Sequence, residues 1–380
     1  MTLVSKSEDS KFNKNSNQAI TALGCMSGTS LDGLDLALAT FTPPSNENSF
    51  WKFSVHSTEF ITYSGTIWEE KLLSAYNLLD DNQIDMISKK YAQWISYNAK
   101  HFLNSLPKNI PQAEVFCCHG HTVRHNPKMK ITKQIGNTFE LTSHLSIPVV
   151  CDFRSADVQR GGQGAPLVPL ADMLLFHEYP ICLNLGGFAN ASWDYKGVRH
   201  ATDLAPCNII FNELTKKIGR AYDENGNLAS NGNVRHKELD KLNQLSYYNS
   251  PIPKSLSWEW AMQYAYPILH EIPILEDALA TAAEHCAWAI NKGIQQINAK
   301  KIFITGGGVW NSYLLNRIGH YFKGEIIIPE KEIVDQKEAI CFAFLGIKKL
   351  RGEINVLSSV TGGNRDSSDG TVFVKNVLQK

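Results

Sequence analysis

A pattern of four parts occurs twice in this chain, about 160 residues apart: an apolar strand, a glycine turn, a returning strand, and a third strand bearing a carboxylate. In the first copy the run Ala19 to Cys25 leads into the turn and Leu34 to Phe41 leads out, with Trp51 to Tyr63 as the third strand. In the second, Tyr179 to Leu185 meets Gly186-Gly187, Phe188 to Trp193 returns, and Val198 to Leu204 carries Asp203. At 380 residues the chain exceeds one compact core. The repeat predicts two α/β lobes, each a mixed sheet flanked by helices, with a ligand in the cleft between them. Lobe I is predicted to hold residues 19–154 plus 351–380 and lobe II residues 155–350. The polar stretch 1–18 reads as a disordered tail.

Between the meanders the pattern predicts helices from about Thr66 to Leu79 and from Ile84 to Leu106, the second ending before Pro107. A short strand, Ala113 to Cys118, is expected to deliver His119-Gly120-His121-Thr122-Val123-Arg124-His125 into a loop, and Ile147 to Phe153 to form another buried strand. In the second half, Ala278 to Ile297 shows helical periodicity. Lys301 to Thr305 is a strand, and a helix is expected from about Gln336 to Leu350.

The first turn is Gly28-Thr29-Ser30-Leu31-Asp32-Gly33-Leu34-Asp35, preceded by Ser27. Glycines permit close backbone approach, the hydroxyls can donate to anionic oxygens, and Asp32 or Asp35 can hold a cation. Such a turn suits nucleotide phosphates with Mg²⁺, or is an ordinary hairpin. Gly161-Gly162-Gln163-Gly164-Ala165-Pro166 frees N–H groups for an anion or a sugar, or is a flexible crossover. Gly306-Gly307-Gly308 follows a strand and opens a helix, the geometry that places anionic or polar ligand atoms on a helix N-terminus, or is a tight strand-to-helix turn. His119 and His121 are expected to diverge on an extended segment, with no fourth ligand near, which argues against zinc. Asp152 and Arg154 end a strand, where α/β sheets present ligand-binding groups or an interlobe ion pair. Asp203 has uncharged neighbours and suits a general base, or is the N-terminal carboxylate of a helix from Pro206 to Ile218.

Lys+Arg and Asp+Glu are both 37, which argues against binding nucleic acid by bulk charge. No stretch has the length of a membrane span and none reads as a secretion signal. The eight cysteines lack a C-x-x-C pair and read as buried thiols of a cytoplasmic protein. No P-loop and no G-x-S-x-G elbow is present.

Taken together, Met26 to Asp35, His119-Gly120-His121-Thr122, Gln134-Ile135-Gly136-Asn137, Asp152-Phe153-Arg154 with Asp157, Gly161 to Pro169, Asn184-Leu185-Gly186-Gly187, Gly306-Gly307-Gly308 with Asn311, and Lys337-Glu338-Ala339 resemble, in order, the motifs of the anhydro-N-acetylmuramic acid kinases. The resemblance runs from about residue 20 to 365. It implies the actin-like, sugar kinase (ribonuclease H-like) ATPase fold and a cytoplasmic homodimer that recycles cell-wall amino sugar with ATP and Mg²⁺. It also implies Asp203 as catalytic base, matching a motif written Asp-x-Gly-Pro-Gly-Asn. Gly28 to Asp35, Gly186, Gly187 and Gly306 to Gly308 would bind the nucleotide, with Asp32 on the metal. His119, Thr122, Arg154, Gly162, Gln163 and Gly164 would face the sugar. The chain departs from the family at His121 (commonly Gln), at Ala205 and Cys207 (Gly), and at Leu256-Ser257-Trp258, which touch expected sugar or interface surfaces. A kinase of another anhydro sugar, such as levoglucosan, and a non-catalytic ATP-binding relative are the competing expectations.

Overall fold

A computed structural model describes residues 12–28, 31–46, 49–78 and 80–375. It divides into two compact units, Met1–Leu175 with Gln336–Lys380, and Phe176–Asp335. The changeovers fall later and earlier than the expected 154/155 and 350/351. Side-chain bonds within the first unit account for the shift: buried Asp172 pairs with Lys337 at 2.8 Å, and Asp157 accepts from Thr361 at 3.0 Å.

The first unit holds β1 (Ile20–Ser27), β2 (Gly33–Thr42), β3 (Lys52–Thr62), β4 (Val115–Asn126), β5 (Ile131–Ile135) and β6 (Val149–Cys151). The second contributes β7 (Ile181–Leu185), β8 (Phe188–Tyr195), β9 (Val198–Pro206), β10 (Lys301–Thr305) and β11 (Glu325–Ile327). β12 (Thr371–Phe373) returns to the first sheet. The strand orders are β12-β6-β4-β1-β2-β3, with β5 on β4, and β11-β10-β7-β8-β9. Each sheet is therefore an antiparallel three-strand meander extended by two parallel strands beside its first strand. The duplicated α/β architecture expected from the repeat is the one the chain adopts, and each unit has its own core.

Helices cover the sheets. In the first unit these are α1 (Ile67–Ala75), α2 (Asp81–Ser105), α3 (Ser155–Gln159) and α4 (Val168–Leu175). The Asp80 side chain caps α2 by accepting from Asn82 N at 2.9 Å, and Leu106 before Pro107 ends it in an extended conformation. The second unit has α5 (Asn208–Thr215), the short α6 (Asn227–Ser230), α7 (His236–Asn243), α8 (Trp258–Trp260) and α9 (Tyr266–His270), then α10 (Leu275–Ile294) and α11 (Ser312–Tyr321). α12 (Lys331–Arg351) follows and packs on β1. β1 is buried along its whole length, as a central strand covered on both faces must be. No helix among the described residues is long and apolar enough to cross a membrane.

Two expectations need correction. The strand ending at Cys118 runs on as β4 to Asn126, because the histidine segment pairs with β5 in a hairpin instead of forming a loop. The tail is docked at its inner end: Arg351 donates to the carbonyls of Lys14 at 2.6 Å and Ser16 at 3.0 Å. Residues 1–11 of that expected tail lie outside the described residues.

Candidate active site

The β1–β2 turn is anchored from below. Ser27 closes β1 opposite Leu34, and its hydroxyl is buried. The Tyr63 hydroxyl donates to it at 2.7 Å, and Tyr91 bonds to Tyr63 in turn. Because Tyr63 gives its proton to Ser27, Ser27 is left to donate to Nδ1 of His121, 3.0 Å away. His121 Nε2 then faces the Tyr76 hydroxyl at 3.0 Å. Burial pushes the His121 pKa down to about 4, so the ring is neutral at physiological pH. The Ser27 hydroxyl thus holds the base of the turn and is not free for a phosphate oxygen. His121→Phe would strand this buried hydroxyl without its acceptor. A cost of about 1–3 kcal/mol, read as a lowered urea midpoint, is expected.

Above this base, Leu31 takes a positive φ of 58°, a conformation uncommon outside glycine. The Asp32 side chain is exposed, while its carbonyl accepts from Tyr63 N at 3.0 Å. Asp35 accepts from the Gln336 amide at 2.8 Å. Thr29 and Ser30 lie outside the described residues. Gly28 is half-buried with its carbonyl 3.4 Å from Leu31 N. Gly33 has a packing reason: a Cβ there would lie 2.5 Å from the Phe60 ring and 2.6 Å from the Ile61 carbonyl. Leu34 belongs to the first unit's core, so its side chain is turned away from any ligand.

In β4 the register against β1 steps from Cys25↔Cys118 to Ser27↔His121, leaving one extra residue at Gly120, whose φ is 75°. This bulge turns His119 to Phe342 on α12, with rings 4.5 Å apart, and His121 to Tyr76, 5.7 Å away. The two histidines do diverge, but the bulge is the cause, since alternate residues of an unbroken strand share a face. Arg154 Nε donates to His119 Nε2 at 2.7 Å and Nη1 to the Gly164 carbonyl at 2.6 Å. Burial, and then the neighbouring guanidinium, hold the His119 pKa well below the usual range. Neutral His119 therefore keeps its proton on Nδ1, toward the Gly120 carbonyl at 2.9 Å.

The Gly161–Pro166 block is a fixed loop of the first unit, not a flexible crossover. Asp157 organises it: Oδ2 accepts from Gly164 N at 2.8 Å and its carbonyl from Gly162 N at 2.9 Å. Gln163 N donates to the Thr361 carbonyl at 2.7 Å, while the Gln163 side chain is exposed. A Cβ on Gly162 would lie 2.1 Å from Asp157 Oδ2. The structure thus brings His119, Arg154 and Gly164 together. Thr122 instead takes a bond from the Gln134 amide at 3.3 Å within the β4–β5 hairpin.

In the second unit, β8–β9 pairing steps from Ala189↔Ala205 to Asn190↔Asp203 and leaves Leu204 extra. This second bulge separates Asp203 from the buried Ala205. A segment some fifty residues downstream in the chain then fixes Asp203 on several sides. Asp203 N donates to the Lys254 carbonyl at 3.0 Å, Leu256 N to Asp203 Oδ2 at 2.8 Å, and the Tyr247 hydroxyl to the Asp203 carbonyl at 2.8 Å. Burial raises the carboxyl pKa to about 6, against the pull of the Leu256 amide. α5 begins only at Asn208, so Asp203 is not its N-terminal carboxylate. The supports at Tyr247, Lys254 and Leu256 left no signal in local spacing.

The other glycine turns lie along the same edge. The carbonyls of Gly186 and Gly187 accept from Asn208 N at 3.2 Å and from Cys207 and Ile209 N at 2.9 and 3.1 Å, capping α5. Gly306, at φ 86°, and Gly308 press on Asn184 and Leu185, where a Cβ would approach to 2.5 and 2.6 Å. Gly187 and Gly307 are open, the nearest atoms to a Cβ being 4.0 and 3.9 Å away. The triple glycine opens a 3-10 turn, Gly307–Trp310, and the α-helix starts one residue later, where Asn311 accepts from Leu314 N at 2.9 Å.

The family model for anhydro-N-acetylmuramic acid kinase matches residues 20–375. The chain belongs to that family. It is similar to the anhydro-N-acetylmuramic acid kinase of Acinetobacter baylyi, 30% identical over 374 residues covering 90% of this chain and 95% of that protein. The protein of the same name from Saccharophagus degradans is 31% identical over 379 residues, covering 92% and 98%. For a member of this family the departures at Ala205, Cys207 and Leu256 fall on packing and main chain, while Trp258 is exposed. Ala205 and Cys207 are fully buried in the second unit's core. Leu256 serves Asp203 through its N–H, and Ser257 caps α8 at 3.2 Å from Trp260 N. His121 lies beneath the β1–β2 turn, away from His119 and Arg154.

Proposed function

We propose that this chain is a kinase that opens 1,6-anhydro-N-acetylmuramic acid with water and phosphorylates O6 from ATP, giving N-acetylmuramic acid 6-phosphate. The observation that carries the reading is the Asp203 carboxylate, sheltered, raised to about 6 and fixed by main-chain bonds, in a chain of this family. A 1,6-anhydro sugar has no free 6-hydroxyl to deprotonate. Asp203 therefore takes a proton from water, whose oxygen attacks the anomeric carbon. The C1–O6 bond breaks, O6 attacks the γ-phosphorus, and the bond to the β-phosphate oxygen breaks to release ADP.

Alignment and charge neutralisation supply most of the phosphoryl-transfer catalysis. The turn from Gly28 to Asp35, with Gly186, Gly187 and Gly306 to Gly308, serves the nucleotide. Asp32 offers an exposed hard-oxygen donor for Mg²⁺. Mg²⁺ is commonly held by one or two carboxylates together with phosphate oxygens and water. When bound, the ion offsets charge on the β- and γ-phosphates. On the sugar side, the neutral His119 orients Arg154, whose guanidinium matches the lactyl carboxylate, alongside Gly162, Gln163, Gly164 and Thr122. The buried thiols support a reducing, cytoplasmic setting, and the family resemblance a homodimer.

The test uses ¹⁸O water, ATP, Mg²⁺ and the anhydro sugar, with the product weighed. A 6-phosphate labelled at the anomeric oxygen is expected. Absence of sugar-dependent ADP would defeat the reading, and turnover of levoglucosan alone would move it to another anhydro sugar. Since Asp203 must be ionised to act, kcat/KM should fall about tenfold per pH unit below an apparent pKa near 6. A limb near the ordinary carboxylate value of 3.8 would show that burial does not raise the Asp203 pKa in the working enzyme.

A further inference from the structure

Beside β9 the second unit holds an open cavity of about 360 Å³ that the proposed reaction leaves unused. Leu204, Ile252 and Ala289 give it apolar walls, together with Tyr248. The Tyr248 hydroxyl is engaged by His285 Nε2 at 2.7 Å, so that side chain brings mainly its ring. Two lysines, Lys254 and Lys292, also line the cavity, and no carboxylate does. The Lys254 ammonium donates to the carbonyls of Tyr247 at 2.6 Å and Ser250 at 3.3 Å and stands 4.4 Å from the Tyr247 ring centroid. Lys292, on α10, donates to Asn249 Oδ1 at 2.9 Å and stands 5.0 Å from the Trp288 ring centroid. All these partners are neutral, and among the described residues neither lysine has an ion pair. Burial, and then the charge of Lys292, lower the Lys254 pKa, as two ammonium groups sharing a site without a counter-ion require.

Single solvated lysines are ordinary on a surface. These two converge on one cavity from a loop and from a helix, each fixed by neutral acceptors and an aromatic ring. Their summed charge matches a dianion. A phosphomonoester carries a charge of about −1.5 to −2 at neutral pH and three strong acceptor oxygens. The volume is that of a small-molecule site, and a bare inorganic ion would leave the apolar walls wet.

We propose that this cavity binds a small phosphomonoester, its phosphate at Lys254 and Lys292 and its organic body against Leu204, Ile252 and Ala289. The site does not depend on the kinase reading. It does adjoin the support of Asp203: Lys254 N donates to Thr202 Oγ1 at 3.0 Å, and the Lys254 carbonyl accepts from Asp203 N at 3.0 Å. An occupant therefore rests on the residue whose main chain holds that carboxylate in place.

The experiment titrates the full chain with phenyl phosphate, inorganic phosphate and benzoate by isothermal calorimetry, with ADP and Mg²⁺ present to fill nucleotide phosphate subsites. Wild type is compared with Lys292→Gln and with Gln296→Glu, which sets a carboxylate in the cavity lining at an exposed position and so keeps the test open if the first variant disturbs α10. Phenyl phosphate should bind wild type more tightly than inorganic phosphate, which cannot cover the walls, and more tightly than benzoate, which carries one charge. Lys292→Gln should weaken phenyl phosphate by about tenfold or more, the scale of a lost hydrogen bond to a charged group, and Gln296→Glu should weaken it as well. No binding by wild type, or unchanged affinity in both variants, overturns the proposal. So does inorganic phosphate or benzoate binding as tightly as phenyl phosphate. A changed oligomeric state in the variants with phenyl phosphate affinity retained also overturns it and makes the cavity a contact between copies. Failure of ADP to bind would count against the kinase reading alone, since the phenyl phosphate titration reads the cavity directly.

Discussion

Asp203→Asn should lower turnover by about 10²–10⁴ while ATP still binds, the range expected when a general base is removed and positioning remains. The amide keeps an oxygen for the Leu256 N–H, and the main-chain bonds to Lys254 and Tyr247 do not involve the side chain. The same variant should melt no lower than wild type at pH 7.5, for a physical reason. The folded pKa of about 6 lies above the ordinary 3.8, so the folded state binds the proton more tightly than the unfolded one. Ionised Asp203 then works against folding at neutral pH, and that penalty vanishes as pH falls from about 6 toward 4. Asparagine carries no such penalty. Loss of activity with an undiminished melting temperature marks a functional carboxylate; loss of both marks a structural one. Turnover within tenfold of wild type would pass the role to Asp32. Asp157 is a poor heir, because both of its oxygens are committed to Gly164 and Thr361.

Gly24→Ala is expected to destabilise the first unit by about 3 kcal/mol or more. A Cβ there would lie 1.8 Å from the Ala339 carbonyl oxygen, 2.7 Å from its carbon and 3.0 Å from the Ala343 Cβ. These are backbone and first side-chain atoms of α12, which cannot swing aside, so the helix must lift from β1. Gly187→Ala is the control, with its nearest neighbour at 4.0 Å. Urea unfolding should show a large drop in midpoint for Gly24→Ala and almost none for Gly187→Ala. Equal midpoints for Gly24→Ala and wild type would mean that the contact of α12 with β1 is looser than its geometry indicates.

Much of the site could be read from local spacing. The glycine turns, the strand that bears Asp203 and the duplicated meander all show in runs of apolar and turn residues, since strand, turn and cap chemistry act within a few positions. The reading erred where a residue's task is set by something distant. Ser27 looked like a phosphate donor, yet Tyr63, just past β3, and His121 in β4 claim its hydroxyl. Gly33, read as a ligand contact, has a packing constraint from the Phe60 ring that local spacing did not show. The histidine segment looked like a loop because nothing local announces a hairpin partner at Ile131–Ile135.

The order of residues alone determined two like meanders, their glycine corners, and a carboxylate on β9, because those features depend on neighbours along the chain. Tertiary structure alone decided the aim and charge state of the key groups. One inserted residue at Gly120 and another at Leu204 set which way His119 and Asp203 face. The Leu256 amide, far along the chain, sits on the carboxylate, and enclosure by protein raises its pKa to about 6. Strand register and desolvation are properties of packed neighbours, and no spacing between residues in one dimension encodes them.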